Sequence, residues 1–243
     1  MVNRYSTLNR LSRFAEDQWG LVTRRQAESA GISRATFTRL VAEGVIERVD
    51  HGVYHLSGAP ISEHQEVRAA WLQLAPGISA WERTPDQGVI SHRSAAALYG
   101  LGHLPADRHD FTLSKRRQTR QPDVRLHKRP LEEGEWISIG GLPVTRPSRI
   151  ASDLLDDDED PGAVAHLIAD AIRAVQDYPG NFADVLAPYA VRFGLRRDDG
   201  LAVLRWLLGL VGDSDTNRWL GEARAHVTQG SSGRNIPSPG THG

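Results

Sequence analysis

The chain has 243 residues, enough for two small domains. Charged residues make up 24% and hydrophobic residues 40%, as in ordinary soluble proteins, which excludes a fibrous repeat and wholesale disorder. The 29 basic and 30 acidic side chains give a net charge of -1, so a polyanionic partner must be recognised through a local excess of charge. Cysteine is absent, which excludes disulfides, thiol nucleophiles and cysteine metal sites and fits a reducing cytosol.

The sequence predicts a soluble, cytoplasmic protein without a membrane partner. Charged residues interrupt residues 1–20, which therefore lack the apolar core of a signal peptide. The longest apolar stretch, residues 201–211, contains Arg205 and is shorter than the ~20 residues that span a bilayer.

Residues 1–60 are predicted to form one unit of three short helices followed by a β-hairpin. Thr23 and Ser33 are the expected N-caps of the second and third helices. A glycine follows each helix, at Gly20, Gly31 and Gly44. Two β-rich runs, 45–49 and 53–56, flank a glycine-containing turn. This is the element order of a winged helix-turn-helix.

The predicted third helix has a polar face suited to the major groove of DNA. At ~100° per residue, Phe37, Leu40 and Val41 share one face, while Ala35 and Arg39 lie on the opposite one. An apolar face can pack on the first two helices, and small residues on the other face permit close approach to DNA.

Arg39 is the residue expected to read a guanine edge, with threonines touching phosphate or a thymine methyl group. The predicted DNA-binding residues are Arg24, Arg25, Ser33, Arg34, Thr36, Thr38, Arg39, Arg48 and His51. His51 lies at the hairpin tip, where it is expected to approach the neighbouring minor groove. The alternative is a protein-interaction module built from the same elements.

The remainder is predicted to be a mixed α/β domain over residues 61–225 with C-terminal helices, so the expected fold class is α+β. Residues 57–60 are the expected linker, and residues 226–243 a disordered tail, because they are poor in apolar residues. Helices are expected at 64–74, 91–99, 163–175 and 201–210. Strands are expected at 110–113, 124–127 and 136–139.

The second domain lacks the sequence patterns of common enzymes. There is no phosphate loop, and neither Lys115 nor Lys128 follows an acidic residue by two positions, as a metal nuclease would require. The spacing of four histidines fits no known metal site: His92, His103, His109 and His127. We therefore expect no catalysis, no metal and no cofactor.

Residues 108–129 carry eight basic side chains against two acidic ones. The candidate surface within this segment consists of Lys115, Arg116, Arg117, Arg120, Arg125 and Lys128. Three interpretations remain open: a solvated basic turn balanced by the acidic residues 156–160, a second DNA contact, or a surface of another function that faces nucleic acid.

Five segments carry a resemblance to a known family. Residues 20–27, 31–40 and 52–54 read GLVTRRQA, GISRATFTRL and GVY, and they resemble the N-terminal winged helix of AbiEi-type antitoxins. Residues 89–101 (VISHRSAAALYGL) and 141–155 (GLPVTRPSRIASDLL) resemble the antitoxin domain of that family. The resemblance covers approximately residues 15–175. It implies that the third interpretation of the basic segment 108–129 is an antitoxin surface that faces nucleic acid.

The resemblance implies an antitoxin of a type IV toxin–antitoxin system. Such a protein represses its own operon and antagonises a nucleotidyltransferase-like toxin encoded beside it, and the type IV label implies that it acts through the target of the toxin. Promoter binding is expected as two copies on inverted repeats, because one recognition helix reads only a few base pairs. The alternatives are a stand-alone winged-helix transcriptional regulator and a nuclease fused to a winged helix.

Overall fold

The computed structural model of the chain describes residues 4–232. Two compact units are present. The first comprises the residues up to 94 together with 106–144, and the second comprises 95–105 together with the residues from 145 onward. The expected domain boundary at residue 60 therefore lies inside the first unit, and that boundary stays a prediction.

The first unit begins with the predicted three helices and hairpin. Its elements in chain order are α1 (Arg4–Glu16), β1 (Leu21–Thr23), α2 (Arg24–Ser29), α3 (Arg34–Ala42), β2 (Ile46–Asp50) and β3 (Val53–Leu56). The three strands form an antiparallel sheet in the order β1-β3-β2. Strand β1 was not expected, because its partner β3 lies about thirty residues further along the chain.

The ends of these helices form as the sequence predicts. The Thr23 hydroxyl accepts a hydrogen bond from the backbone N–H of Gln26, and the Gln26 side chain accepts one from the N–H of Thr23, which completes a capping box. Gly20 lies in the left-handed region with φ 78°. A Cβ there would lie 2.8 Å from Ala59 Cβ and 2.9 Å from His55 Nε2. Only glycine fits this junction without strain.

A small apolar core holds the three helices and the hairpin together. Leu11, Val22, Phe37, Leu40 and Ile46 are all buried within it. These residues belong to α1, β1, α3 and β2. The apolar faces of α1 and α3 are therefore buried against the sheet and against each other's side chains in one core.

The first unit continues with a helix and a five-stranded sheet. The elements are α4 (Gln65–Leu74), β4 (Val89–Ile90), α5 (His92–Tyr99), β5 (His109–Leu113), β6 (Val124–Lys128), β7 (Trp136–Ile139) and β8 (Leu142–Thr145). Helix α5 from residue 95 onward and the last residue of β8 belong to the second unit. The strand order is β6-β5-β4-β8-β7. Strand β4 pairs antiparallel with β5 and parallel with β8, and β5 pairs parallel with β6. The edge strand β6 therefore carries the end of the basic segment.

The helices and hairpin are attached to the rest of the first unit around Trp19. The Trp19 indole N–H donates to the carbonyl of Gly140 at 2.8 Å. Its ring meets that of Trp71 edge-on with centroids 6.1 Å apart, and the Arg68 guanidinium lies 4.9 Å from the ring centroid. These contacts join residues on both sides of position 60.

The second unit is built from helices. They are α6 (Pro147–Asp156), α7 (Pro161–Arg173), α8 (Pro179–Leu186), α9 (Gly200–Val211) and α10 (Thr216–Ser232). Short 3-10 turns of this unit lie at Ala187–Tyr189 and Val191–Phe193, and those at Ala80–Glu82 and Pro85–Gln87 belong to the first unit. Three of the helices begin with proline, whose fixed φ and missing N–H suit the first helical position. The predicted mixed α+β class is confirmed.

The prediction that a disordered tail starts at residue 226 is wrong. Residues 226–232 continue helix α10, whose Trp219 and Ala223 are buried at 1% and 0% exposure. His226 Nε2 lies 3.1 Å from Asp184 Oδ2 of α8. Composition alone does not show that a helix packed through its earlier turns continues into a polar stretch. Residues 233–243 lie outside the described part of the chain.

Within residues 4–232, every helix is too short or too polar to cross a lipid bilayer.

Candidate nucleic-acid interface

Helix α3 has one buried and one exposed face. Phe37 and Leu40 are 3% and 2% exposed, and the Phe37 ring meets Tyr54 of β3 edge-on with centroids 4.7 Å apart. The exposed residues of the helix are Arg34, Ala35, Thr38, Arg39 and Ala42. The predicted orientation of α3 is therefore confirmed.

The hydroxyl groups of α3 bond within the helix itself. Ser33 is the N-cap, and its Oγ accepts from the backbone N–H of Thr36 at 3.2 Å and lies 3.0 Å from Thr36 Oγ1. Thr38 Oγ1 donates to the carbonyl of Arg34 at 3.0 Å. Ser33 thus orients the first turn of α3, and the Thr38 hydroxyl is bonded to the helix backbone.

Two guanidinium groups extend from the exposed face of α3. Arg39 is 62% exposed, and its Nε lies 3.8 Å from Glu43 Oε1. This distance is long for a charge-assisted hydrogen bond, so the pair holds Arg39 weakly. Arg34, at the first position of the helix, is exposed as well. These two side chains are the cations that α3 offers to a partner.

The two arginines that open α2 lie in different surroundings. Arg24 Nε pairs with Glu28 Oε1 at 3.0 Å, and the Arg24 guanidinium carbon is 5.6 Å from the centroid of the Phe37 ring. Arg24 therefore braces α2 against α3. Arg25 is exposed and lies against Gly77, outside the first sixty residues.

The hairpin between β2 and β3 places the last two predicted residues on the surface. Arg48 and His51 are exposed, and β2 has an irregularity between Arg48 and Asp50. Asp50 Oδ1 accepts from the backbone N–H of His51 at 2.5 Å, which fixes the turn. The imidazole of His51 stands at the tip, as predicted.

The basic segment divides into residues that line a cleft and residues that do not. A cleft of about 380 Å³ lies between the loop after β5 and the strand β6. Of the predicted surface, Arg116, Arg117 and Lys128 line it. Lys115 and Arg120 are exposed elsewhere on the loop, and Arg125 is exposed on β6.

One of the cleft arginines is fixed by a backbone carbonyl. Arg117 Nη1 donates to the carbonyl of Leu74 at the end of α4. Arg83 occupies the same helix end, where its Nη2 donates to the carbonyls of Leu72 and Ala75 at 2.6 and 2.7 Å. Burial lowers the pKa of Arg83 to about 10, and the positive charge of Arg117 adds to this effect.

Sequence reasoning missed the contribution of His127 and Gln118 to this cleft. It also missed the polar cluster around His127. His127 Nε2 lies 2.8 Å from Asp110 Oδ1, and its ring stacks on His92 with centroids 3.5 Å apart. Asp110 lies on β5 and His127 on β6, so the parallel pairing of these strands brings the two residues together, and no local pattern indicates that pairing.

The N-terminal part of the chain matches a known family. Residues 9–56 match a protein-family model described as "Transcriptional regulator, AbiEi antitoxin". The matched residues include α3 and the hairpin, and the resemblance predicted for this region is confirmed. The segments 89–101 and 141–155 lie outside the match. No curated protein matches the chain.

Proposed function

We propose that this protein is an antitoxin of a type IV toxin–antitoxin system that also represses its own operon. It binds inverted repeats in its promoter as two copies, each through α3, and antagonises a nucleotidyltransferase-like toxin. The proposal places the protein in the cytoplasm and assigns it no catalytic step, no metal and no cofactor.

The exposed face of α3 is the observation that carries the DNA-binding part of this proposal. Arg34, Thr38 and Arg39 are exposed on a helix whose other face is buried in the core. A helix with small and cationic side chains outward fits the major groove, where arginine reads guanine. The match of residues 9–56 to a family of transcriptional regulators and antitoxins supports the same conclusion.

A footprint on the DNA upstream of its own gene tests the DNA-binding proposal. The protein should protect an inverted repeat, and its affinity should fall steeply as salt is raised, because contacts with phosphates release counterions. Absence of protection, or binding that salt leaves unchanged, would count against it.

The antitoxin part is supported by the resemblance of residues 89–101 and 141–155 to the antitoxin domain. Co-expression with the product of the adjacent gene tests it, and growth should be restored only when the antitoxin is present. A stand-alone transcriptional regulator is the second candidate, favoured by the restriction of the family match to residues 9–56. An adjacent gene without a nucleotidyltransferase-like product would favour this second candidate.

A further inference from the structure

The cleft beside β6 has a lining that suits an anion. Three of its residues are cationic, and among the described residues that line it none is acidic: Leu113, Arg116, Arg117, Gln118, Leu126 and Lys128 surround His127. Its volume of about 380 Å³ lies within the range of sites for small ligands. A lining with this excess of positive charge favours a ligand with more than one negative charge.

The three cationic side chains of the cleft differ in whether the protein already holds them by a hydrogen bond. Arg117 is fixed by its bond to the Leu74 carbonyl and keeps further N–H donors for a ligand. In the part of the chain that the structure describes, neither Arg116 nor Lys128 has an ion pair or a side-chain hydrogen bond. One anchored and two unpaired cations therefore face the same space.

Arg83 lies beside Arg117 at the end of α4, where both donate to backbone carbonyls. The pKa of Arg83 is lowered first by burial and then by the positive charge of Arg117. Two guanidinium groups therefore share the helix end next to the cleft.

Two leucines add an apolar wall to the cleft. Leu126 and Lys128 lie on the same face of β6, because side chains alternate along a strand. Leu113 ends β5 beside them, in register with Lys128. The cleft can therefore take a phosphate together with a less polar group attached to it.

We propose that the cleft formed by Arg116, Arg117 and Lys128 binds phosphate groups, supplied either by the backbone of bound DNA or by a free phosphorylated ligand. Arginine is suited to this task because its planar fork of donors matches phosphate oxygens. The cleft is separate from α3, so this inference goes beyond the proposed reading of the promoter by the winged helix.

Titration of the full-length chain with inorganic pyrophosphate tests the proposal. The double variant R116Q/K128Q removes two charges from the cleft, and the matched control K115Q/R120Q removes two charges from the same segment outside it. We expect the first to weaken pyrophosphate binding about tenfold and the control less than about twofold. No binding by the unaltered chain, or equal weakening by both double variants, would overturn the proposal.

A second titration with promoter duplex identifies the source of the phosphate. If R116Q/K128Q lowers the salt dependence of DNA binding by about one to two counterions, the phosphates belong to DNA. If DNA binding is unchanged while pyrophosphate binding is lost, the ligand is a free phosphorylated molecule. The variant R39A should retain full pyrophosphate binding, which separates this inference from promoter recognition. If R116Q/K128Q has a lower melting temperature than the unaltered chain, the single variants R116Q and K128Q are tested instead. Each should show part of the loss of pyrophosphate binding.

Discussion

Arg39 is an exposed residue of α3 whose side chain contributes little to folding stability. Its 3.8 Å pair with Glu43 joins two side chains that are 62% and 39% exposed. Exposed pairs of this kind contribute about 0–1 kcal/mol to stability. The guanidinium can leave Glu43 for a base edge at little cost in folding free energy.

We predict that Arg39→Ala weakens binding to the promoter by roughly 1–3 kcal/mol, because it removes a base-reading side chain. Thermal stability should hardly change. Fluorescence anisotropy with promoter and scrambled duplexes measures the effect. Arg13→Ala, which removes an exposed arginine of α1, is the matched control and should leave the preference for promoter intact. Equal losses in the two variants would mean that Arg39 contributes only general charge.

Phe37 has the opposite role on the same helix. It is 3% exposed and packs against Tyr54 and beneath the Arg24 guanidinium. We predict that Phe37→Ala lowers the free energy of unfolding by about 3–5 kcal/mol, because it leaves a cavity in a small core. Urea denaturation measures this loss. If Phe37→Ala and Arg39→Ala destabilise the protein equally, the assignment of the two faces is wrong.

The residues of α3 could be assigned from the sequence because helical periodicity is local. The partners of Arg25 and Arg117 could not be assigned in this way. Arg117 bonds to Leu74, which is 43 residues away in the sequence. Sequence periodicity places a side chain on a face, whereas long-range packing decides which atoms it meets.

Helix α4 is capped at its C-terminal end by arginine side chains. Its last carbonyls, which have no partner within the helix, accept from Arg83. The helix contacts β1, β2 and β3 as well as β5. Arg83 thus stabilises the element that both sheets of the first unit contact.

We predict that Arg83→Met destabilises the protein by about 1–3 kcal/mol, because methionine keeps the packing on Trp71 and leaves the helix-end carbonyls unpaired. Arg120→Met removes an exposed arginine and should change stability little. The urea midpoints of the two variants give the comparison. Identical midpoints would show that Arg83 does not cap α4.

Helices and hairpins with local signals were predictable, and elements that depend on distant partners were not. Thr23 and Ser33 locate the starts of α2 and α3 through side-chain bonds three residues long. Strands β1 and β4 have three and two residues and form by pairing across the chain. Helices α6 and α8 begin at Pro147 and Pro179, so their starts did have a local signal.

In the proposed function, promoter binding and toxin antagonism belong to different parts of the chain. The expected fragments 1–60 and 61–225 divide the first unit, so each loses the contacts around Trp19. Single substitutions in the full-length chain keep these contacts. They separate the two activities more cleanly than truncation does.

We predict that Arg39→Ala in the full-length chain loses repression of a promoter fusion and retains rescue of growth from the toxin. In the proposed function, the exposed face of α3 is needed for binding to DNA, while the antitoxin activity belongs to the residues after 60. Reporter activity and growth measured in the same cells check both. If the variant loses both repression and rescue while its protein level is unchanged, the two activities share α3.

Whether α3 enters the DNA of the promoter can be measured directly, because the chain has no cysteine. Ala35 and Ala42 are both exposed, near opposite ends of α3, and each can be replaced singly by cysteine and coupled to an iron-EDTA cleavage reagent. Residues in the N-terminal part of a recognition helix lie closest to base edges. We predict strong cleavage within each half of the inverted repeat from position 35 and weaker cleavage from position 42. Equal cleavage of scrambled DNA, or cleavage from position 42 alone, would show that α3 does not read the promoter.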